Sequence, residues 1–243
     1  MTARIAMWSG PRNISTAMMR SFGARGDCAV SDEPLYGHYL THTKLDHPMK
    51  DEVIASQPKD WQTVVQSLQG DVPKGQSVWY QKHMTHHLLP HIDRAWMKEV
   101  RHCFLIRDPK QVLASYARSR SEVSLADLGF EAQAEIFDYV TQTLGQPALV
   151  IDSNDVLKNP AQMLEKLCKA LKIPYSNKML HWEPGLRETD GVWAPHWYHS
   201  VMESKGFAPY RERFPEYLEE LEPIAQAARD YYEPLYQKRM QLS

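Results

Sequence analysis

The chain has 243 residues, 43% of them hydrophobic and 24% charged. These proportions are ordinary for a soluble globular protein with a sizeable core. Its formal net charge of −2 excludes a global pull toward nucleic acid or anionic membrane, so any anion binding has to be local.

No apolar run approaches the length of a spanning helix, and residues 1–4 lack the core of a signal peptide. Cys28, Cys103 and Cys168 are scattered and odd in number; their apolar or helical contexts predict buried free thiols and, by default, cytoplasmic residence. In chain order, Ile5, Ala6, Met7 and Trp8 form a short apolar run that reads as a buried strand. Ser9, Gly10 and Pro11 break it with a turn, and Ile14, Ala17, Met18 and Phe22 then recur at helical spacing, with Ser15 and Thr16 in the first turn. Strand, tight turn and helix start in that order aim unpaired backbone N–H groups at one spot, and Arg12 adds a positive charge. The stretch reads as a phosphate or sulfate cradle. The competing reading is an ordinary strand-turn-helix unit with a solvated arginine.

Residues 28–30 form the next short strand, stopped by Ser31, Asp32, Glu33 and Pro34. The stretch 35–44, with Tyr36, His38, Tyr39 and His42, is either a substrate wall or a half-buried helix. Residues 52–68 read as one or two surface helices interrupted at Pro58. A third strand over 77–81 runs into residues 82–87, which places Lys82 and His83 just past its end. Residues 101–106 are a fourth apolar run, ending in Arg107, Asp108 and Pro109. Pro109 suits a first helical turn, and Val112, Leu113 and Tyr116 continue the period. Ser115 then lies about two turns in, facing back toward Arg107. A guanidinium and a hydroxyl converging there suit a phosphate dianion; the alternative is an Arg107–Asp108 surface pair. A longer amphipathic helix follows over 128–144, a strand over 148–152 and a helix over 160–171. Residues 182–198 are aromatic and irregular, and 214–240 form a terminal helical region broken or kinked near Pro223 and Pro234.

Strands alternating with helices predict an α/β fold, a mostly parallel sheet with helices on both faces. Such sheets bind ligands at the carboxyl ends of their strands, and all the polar clusters above fall there. Two bases compete. Glu33, beside aromatic residues, could sit with raised pKa and accept a hydroxyl proton, or it could only cap a helix. His83, just past a strand beside Lys82, is the second candidate. His86 and His87 have no third ligand at suitable spacing, so no metal is expected. Without the lysine of a Walker A loop, and without a clear acidic metal ligand, a Mg²⁺-dependent kinase is disfavoured.

The heptapeptide Gly10-Pro11-Arg12-Asn13-Ile14-Ser15-Thr16 resembles the 5′-phosphosulfate loop of the P-loop sulfotransferases. Residues 104–115 resemble that family's 3′-phosphate motif, with Arg107 and Ser115 in register, and 152–160 are similar to the segment that follows it. The resemblance spans roughly residues 3–172. It is strongest to sulfotransferase-like domains found alone or beside branched-chain aminotransferase-like modules. It implies a P-loop NTPase-like three-layer sandwich and a single domain over 1–243, in which 1–175 form the nucleotide-binding core and 176–243 complete the site. The implied reaction is metal-independent sulfuryl transfer from 3′-phosphoadenosine 5′-phosphosulfate (PAPS) to a hydroxyl or amine of a small molecule. Arg12, the loop amides, Ser15 and Thr16 would hold the 5′-phosphosulfate, with Lys82 assisting, while Arg107 and Ser115 hold the 3′-phosphate. Glu33 is placed like the catalytic glutamate of the tyrosylprotein and trehalose sulfotransferases. Three departures stand out. Ile14 replaces a glycine of many members, and Gln81-Lys82-His83 replaces the Lys-Thr-His of the cytosolic branch. The third is Ser204-Lys205-Gly206, which only weakly substitutes for that branch's basic, glycine-rich segment. A non-catalytic nucleotide-binding protein is the alternative, a small-molecule kinase a weaker one. The acceptor and any homo-oligomer stay open.

Overall fold

Apolar residues along β1 (Ala3–Ser9) alternate between two buried faces, Ile5 and Met7 toward one and Ala6 and Trp8 toward the other, all fully buried. Burial on both faces is what a central strand of a parallel sheet needs. The structure, a computed structural model, describes residues 2–118, 123–212 and 219–242. Around β1 stand β2 (Cys28–Asp32), β3 (Val78–Met84), β4 (Arg101–Ile106) and β5 (Ala148–Asp152), all parallel, in the order β2-β3-β1-β4-β5. Strand order reverses beside β1, which opens the crevice where open α/β sheets bind ligands. Register sets which side chains meet at that edge. Asp32 lies opposite Lys82, and Ser9 lies between Met84 and Leu105.

The helices in chain order are α1 (Ser15–Gly23), α2 (Tyr36–Thr43), α3 (Lys50–Ser56), α4 (Trp61–Gln69), α5 (Pro109–Tyr116), α6 (Leu125–Leu128) and α7 (Phe130–Asp138). After β5 come α8 (Ser153–Lys158), α9 (Pro160–Ala170), α10 (Ala194–Trp197), α11 (His199–Met202) and α12 (Glu222–Gln237). Phe22 of α1, Leu40 of α2 and Leu164 of α9 pack with Met7, Tyr80, Leu105 and Ile151 of the sheet. On the opposite face, Leu68 of α4, Val112 of α5, Ile136 of α7 and Tyr232 of α12 pack with Trp8, Trp79, Phe104 and Val150. Three layers result, a P-loop NTPase-like α/β sandwich.

The structure departs from the sequence reading where polar residues sit inside regular elements. β2 continues through Ser31 and Asp32, and β3 through Lys82, His83 and Met84, because their backbones remain in the parallel ladder with neighbouring strands. The helix expected over 128–144 is split at Gly129, whose φ of 71° ends α6 before α7 begins, and a π-helical turn over Tyr139–Thr143 follows. Of the terminal helical region, α12 carries Pro223 in its first turn and Pro234 in its interior; residues 214–218 of that prediction lie outside the described residues. The three cysteines are free, Cys103 and Cys168 buried and Cys28 half-buried. Among the described residues no helix is long and apolar enough to cross a membrane.

Candidate active site

Just past β1, Gly10 runs so close to the end of α6 that a Cβ there would meet the Leu128 carbonyl oxygen at 2.5 Å. Arg12 (φ 62°) and Ile14 (φ 55°) then adopt left-handed backbone, an uncommon conformation for any side chain and a costly one for a β-branched residue. The two left-handed residues turn the chain sharply into α1. Ile14 stands at the N-cap and supplies no side-chain cap, so the first-turn amides of α1 are left for solvent or an anion. Buried Asn13 fastens the loop to the neighbouring strand, its Nδ2 donating to the Leu105 carbonyl at 3.2 Å.

Arg12 Nε donates to Ser115 Oγ at 3.0 Å, and Arg107 donates through Nη1 to the Arg12 carbonyl at 2.6 Å and through Nε to Gln111 Oε1 at 3.1 Å. The expected Ser115–Arg107 convergence is therefore met differently. Arg12 takes the serine hydroxyl, while Arg107 grips the loop backbone beside it. Asp108 pairs with neither arginine; it caps α5, accepting from the amides of Lys110 and Gln111 at 3.0 and 3.2 Å. Arg12, Arg107, Ser115 and residues 11–17 all line one cavity of about 400 Å³.

The inner wall of the same cavity is a buried ionic network. Because Asp32 and Lys82 are in register, Lys82 Nζ reaches Asp32 Oδ1 at 2.8 Å, and it also donates to Glu33 Oε1 at 2.5 Å and to the Tyr198 hydroxyl at 2.8 Å. All three ammonium protons are thus engaged. The Tyr198 hydroxyl donates to Asp32, with Oδ2 at 2.7 Å, and accepts from Trp193 Nε1 at 3.0 Å, while the Gly191 amide donates to Asp32 Oδ2 at 3.2 Å. A Cβ on Gly191 would meet the Trp193 indole at 2.2 Å. The buried Arg20–Asp190 ion pair, 2.6 Å, ties this loop back to α1. Glu33 has a left-handed backbone (φ 44°). Burial raises its pKa, the ammonium of Lys82 works against that rise, and Asp32 adds to it. Burial disfavours the Lys82 ammonium, but the carboxylates of Asp32 and Glu33 outweigh it and hold its pKa well above the usual lysine range.

His83 is a correction. It sits inside β3, and the pleat turns it to the face opposite Lys82. There it is buried and stacks on Trp8, with ring centroids 4.6 Å apart. Burial, followed by His102 and Lys82, pushes its pKa down to about 3. It does not line the cavity. The histidines that do are His47, His86 and His87. His87 is stacked between Tyr36 and Tyr39 at 4.6 Å from each, and its Nδ1, buried with no hydrogen-bond partner, lies 3.9 Å from Glu33 Oε2.

The sequence reading named Glu33, Lys82, Arg12, Arg107, Ser115 and the loop from Pro11 to Thr16, and the fold brings these together around one cavity; Gly10 lies behind the loop. It missed Asp32 as a structural anchor, and it missed the roles of Gly191, Trp193 and Tyr198. Two signals were available: an acid beside Glu33 opposite a strand lysine, and a tryptophan-rich segment too aromatic for a linker. The weak Ser204-Lys205-Gly206 match falls at the cavity rim, where Ser204 and residues 206–211 line the opening.

The family described as "Sulfotransferase domain" matches residues 3–239. Two Arabidopsis thaliana proteins, branched-chain-amino-acid aminotransferase-like proteins 1 and 2, are 37% identical over 215 residues and 35% identical over 214. Each match covers 87% of this chain but 38% of the relative, so the chain spans well under half of those proteins. Among solved structures, the sulfotransferase domain from the curacin biosynthetic pathway superposes with a TM-score of 0.56 at 18% identity, covering 93% of this chain and 97% of that one.

Proposed function

The chain belongs to the sulfotransferase domain family, and from that premise we propose that it transfers a sulfuryl group from PAPS to a hydroxyl or amine of a small molecule. One observation carries the reading: two arginines from the tips of β1 and β4 and the buried Glu33–Lys82 pair open onto the same cavity. The residues suit an anionic nucleotide. The loop leaves the α1 amides without a side-chain cap, and Gly10 clears the space in which the loop turns. Two guanidiniums face one cleft from strands on either side of the topological switch. When bound, the donor supplies the sulfuryl group and a phosphoadenosine leaving group.

Arg12, the first-turn amides, Ser15 and Thr16 hold the 5′ end and stabilise charge developing on the bridging oxygen. Arg107 and Ser115 hold the 3′-phosphate, far from the reacting bond, so their binding energy positions the reacting end. Glu33 keeps Oε1 on Lys82 and uses Oε2 to take the acceptor's proton. Lys82, with all its donors engaged, acts as a positioning residue that fixes this carboxylate. Tyr36, Trp197 and Tyr198 line the acceptor side and exclude water. A cytoplasmic location accords with the net charge and cysteine pattern.

Radiolabelled PAPS presented with a panel of small-molecule hydroxyls and amines tests the reading. Label is expected to move to at least one acceptor with the parent and not with Glu33→Gln. A parent that binds 3′-phosphoadenosine 5′-phosphate (PAP) yet transfers nothing would overturn it in favour of a non-catalytic nucleotide-binding protein.

A further inference from the structure

Outside the residues that line the cavity, three histidines meet beside α2. His38 and His42 are four residues apart on that helix, a spacing that puts both on one face, and His91 comes from the segment after β3. One ring nitrogen of each lies within 4.8 Å of the others. We propose that His38, His42 and His91 bind a divalent transition-metal ion of the zinc class, clipping α2 to the segment that follows β3.

Ring orientation carries the proposal. His38 Nδ1 lies 2.8 Å from the Lys59 carbonyl and His42 Nδ1 lies 3.3 Å from the His38 carbonyl. A carbonyl only accepts, so both rings carry their proton on Nδ1 and present the Nε2 lone pair. Backbone carbonyls that fix the tautomer in this way are the usual outer support of metal-binding imidazoles. His91 Nε2 donates to the His38 Nε2 lone pair at 2.9 Å, a hydrogen bond that metal binding would replace, His91 giving up that proton as it ligates. A tetrahedral ion with metal–nitrogen bonds of about 2.0–2.1 Å needs its ligands about 3.3 Å apart. His42 and His91 are exposed and His38 is buried, so two side chains can adjust around one fixed ligand.

Three imidazoles with neither thiolate nor carboxylate select zinc, copper or nickel over magnesium or calcium. The exposed rings leave the fourth position to water. The cluster does not line the cavity described above, and the role proposed for the ion is structural. α2 starts three residues after Glu33, and the ion would fix that helix against the segment leading on from Lys82.

The test uses the full chain, made without a polyhistidine tag and stripped with chelator, then titrated with ZnCl₂ by calorimetry and thermal unfolding. One equivalent should bind and raise the Tm, and MgCl₂ should do neither. His42→Ala and His91→Ala, both surface changes, should each weaken binding by at least about 10–100-fold, whereas exposed His196→Ala should leave it unchanged. Failure to bind zinc at micromolar concentration, or undiminished binding by the His42→Ala/His91→Ala double variant, would overturn the proposal. The readout is metal binding, so either result leaves the sulfuryl-transfer reading where it stood.

Discussion

The two halves of the cavity treat charge in opposite ways. At the mouth, Arg12 and Arg107 lie on the tips of adjacent strands and make hydrogen bonds to a serine, a glutamine and a backbone carbonyl. On the inner wall, Lys82, Asp32, Glu33 and Tyr198 are buried and satisfy one another. Cations at the opening suit a site that takes an anion, because the ligand supplies counter-charge there. A closed network suits a site that must hold one carboxylate in one orientation, because a misplaced partner leaves a buried charge uncompensated. The mouth should therefore govern affinity, and the wall should govern turnover and stability.

The sharpest challenge to that division is Glu33→Gln. The amide can still accept from Lys82 but cannot take a proton, so turnover should fall by about 10²–10⁴-fold while PAP binding stays within about twofold of the parent. Loss of binding in step with turnover, measured by calorimetry beside the transfer assay, would move Glu33 to the mouth. Lys82→Met comes next. It strands two buried carboxylates, and urea unfolding should show a loss of about 3–5 kcal/mol; a stability unchanged within error would mean the network is not closed.

A pH series separates packing from chemistry. His83 has its pKa pushed down to about 3 in the fold, against an ordinary value near 6.5. Above pH 6.5 it is neutral in both states and contributes no pH dependence. As the pH falls below 6.5 the unfolded chain gains a proton that the folded chain refuses, so stability drops, by about 2 kcal/mol at pH 5. His86, His87 and His102 are shifted down as well, so His83→Phe, which keeps a ring against Trp8, should remove one histidine's share of that slope and leave PAP binding untouched; an unchanged slope would show that His83 contributes nothing to it. The smallest effect belongs to Ser115→Ala, which removes one hydroxyl from the mouth. PAP binding should weaken by about 0.5–1.5 kcal/mol, with stability and turnover at saturation unchanged.

The same contrast explains what could be read from sequence. The mouth is built from two local stretches, 10–16 and 107–115, in which strand end, turn and helix start follow directly along the chain, so Arg12, Arg107 and Ser115 were legible. The alternation of apolar runs with helical periods also gave the sheet and its layers. The wall joins Asp32 with Lys82, Gly191, Trp193 and Tyr198 across more than 160 residues, as the Tyr198–Asp32 bond shows, and only strand register brings them together. His83 went astray for a related reason. In sequence the apolar run ends at Gln81, but backbone pairing carries β3 on to Met84, and the pleat then sends Lys82 and His83 to opposite faces. Gly129 is a milder case, since its left-handed φ of 71° interrupts a helical pattern that reads as continuous.

The account rests on two cationic grips holding opposite ends of one nucleotide, and calorimetry with a matched pair of ligands tests it most directly. PAP and adenosine 5′-monophosphate differ only in the 3′-phosphate. The parent should bind PAP more tightly, and Arg107→Ala should lose about 1.5–3 kcal/mol for PAP, roughly 10–100-fold, while its affinity for the monophosphate stays within about twofold. A parent that cannot tell the two ligands apart, or an Arg107→Ala variant that weakens both equally, would contradict it.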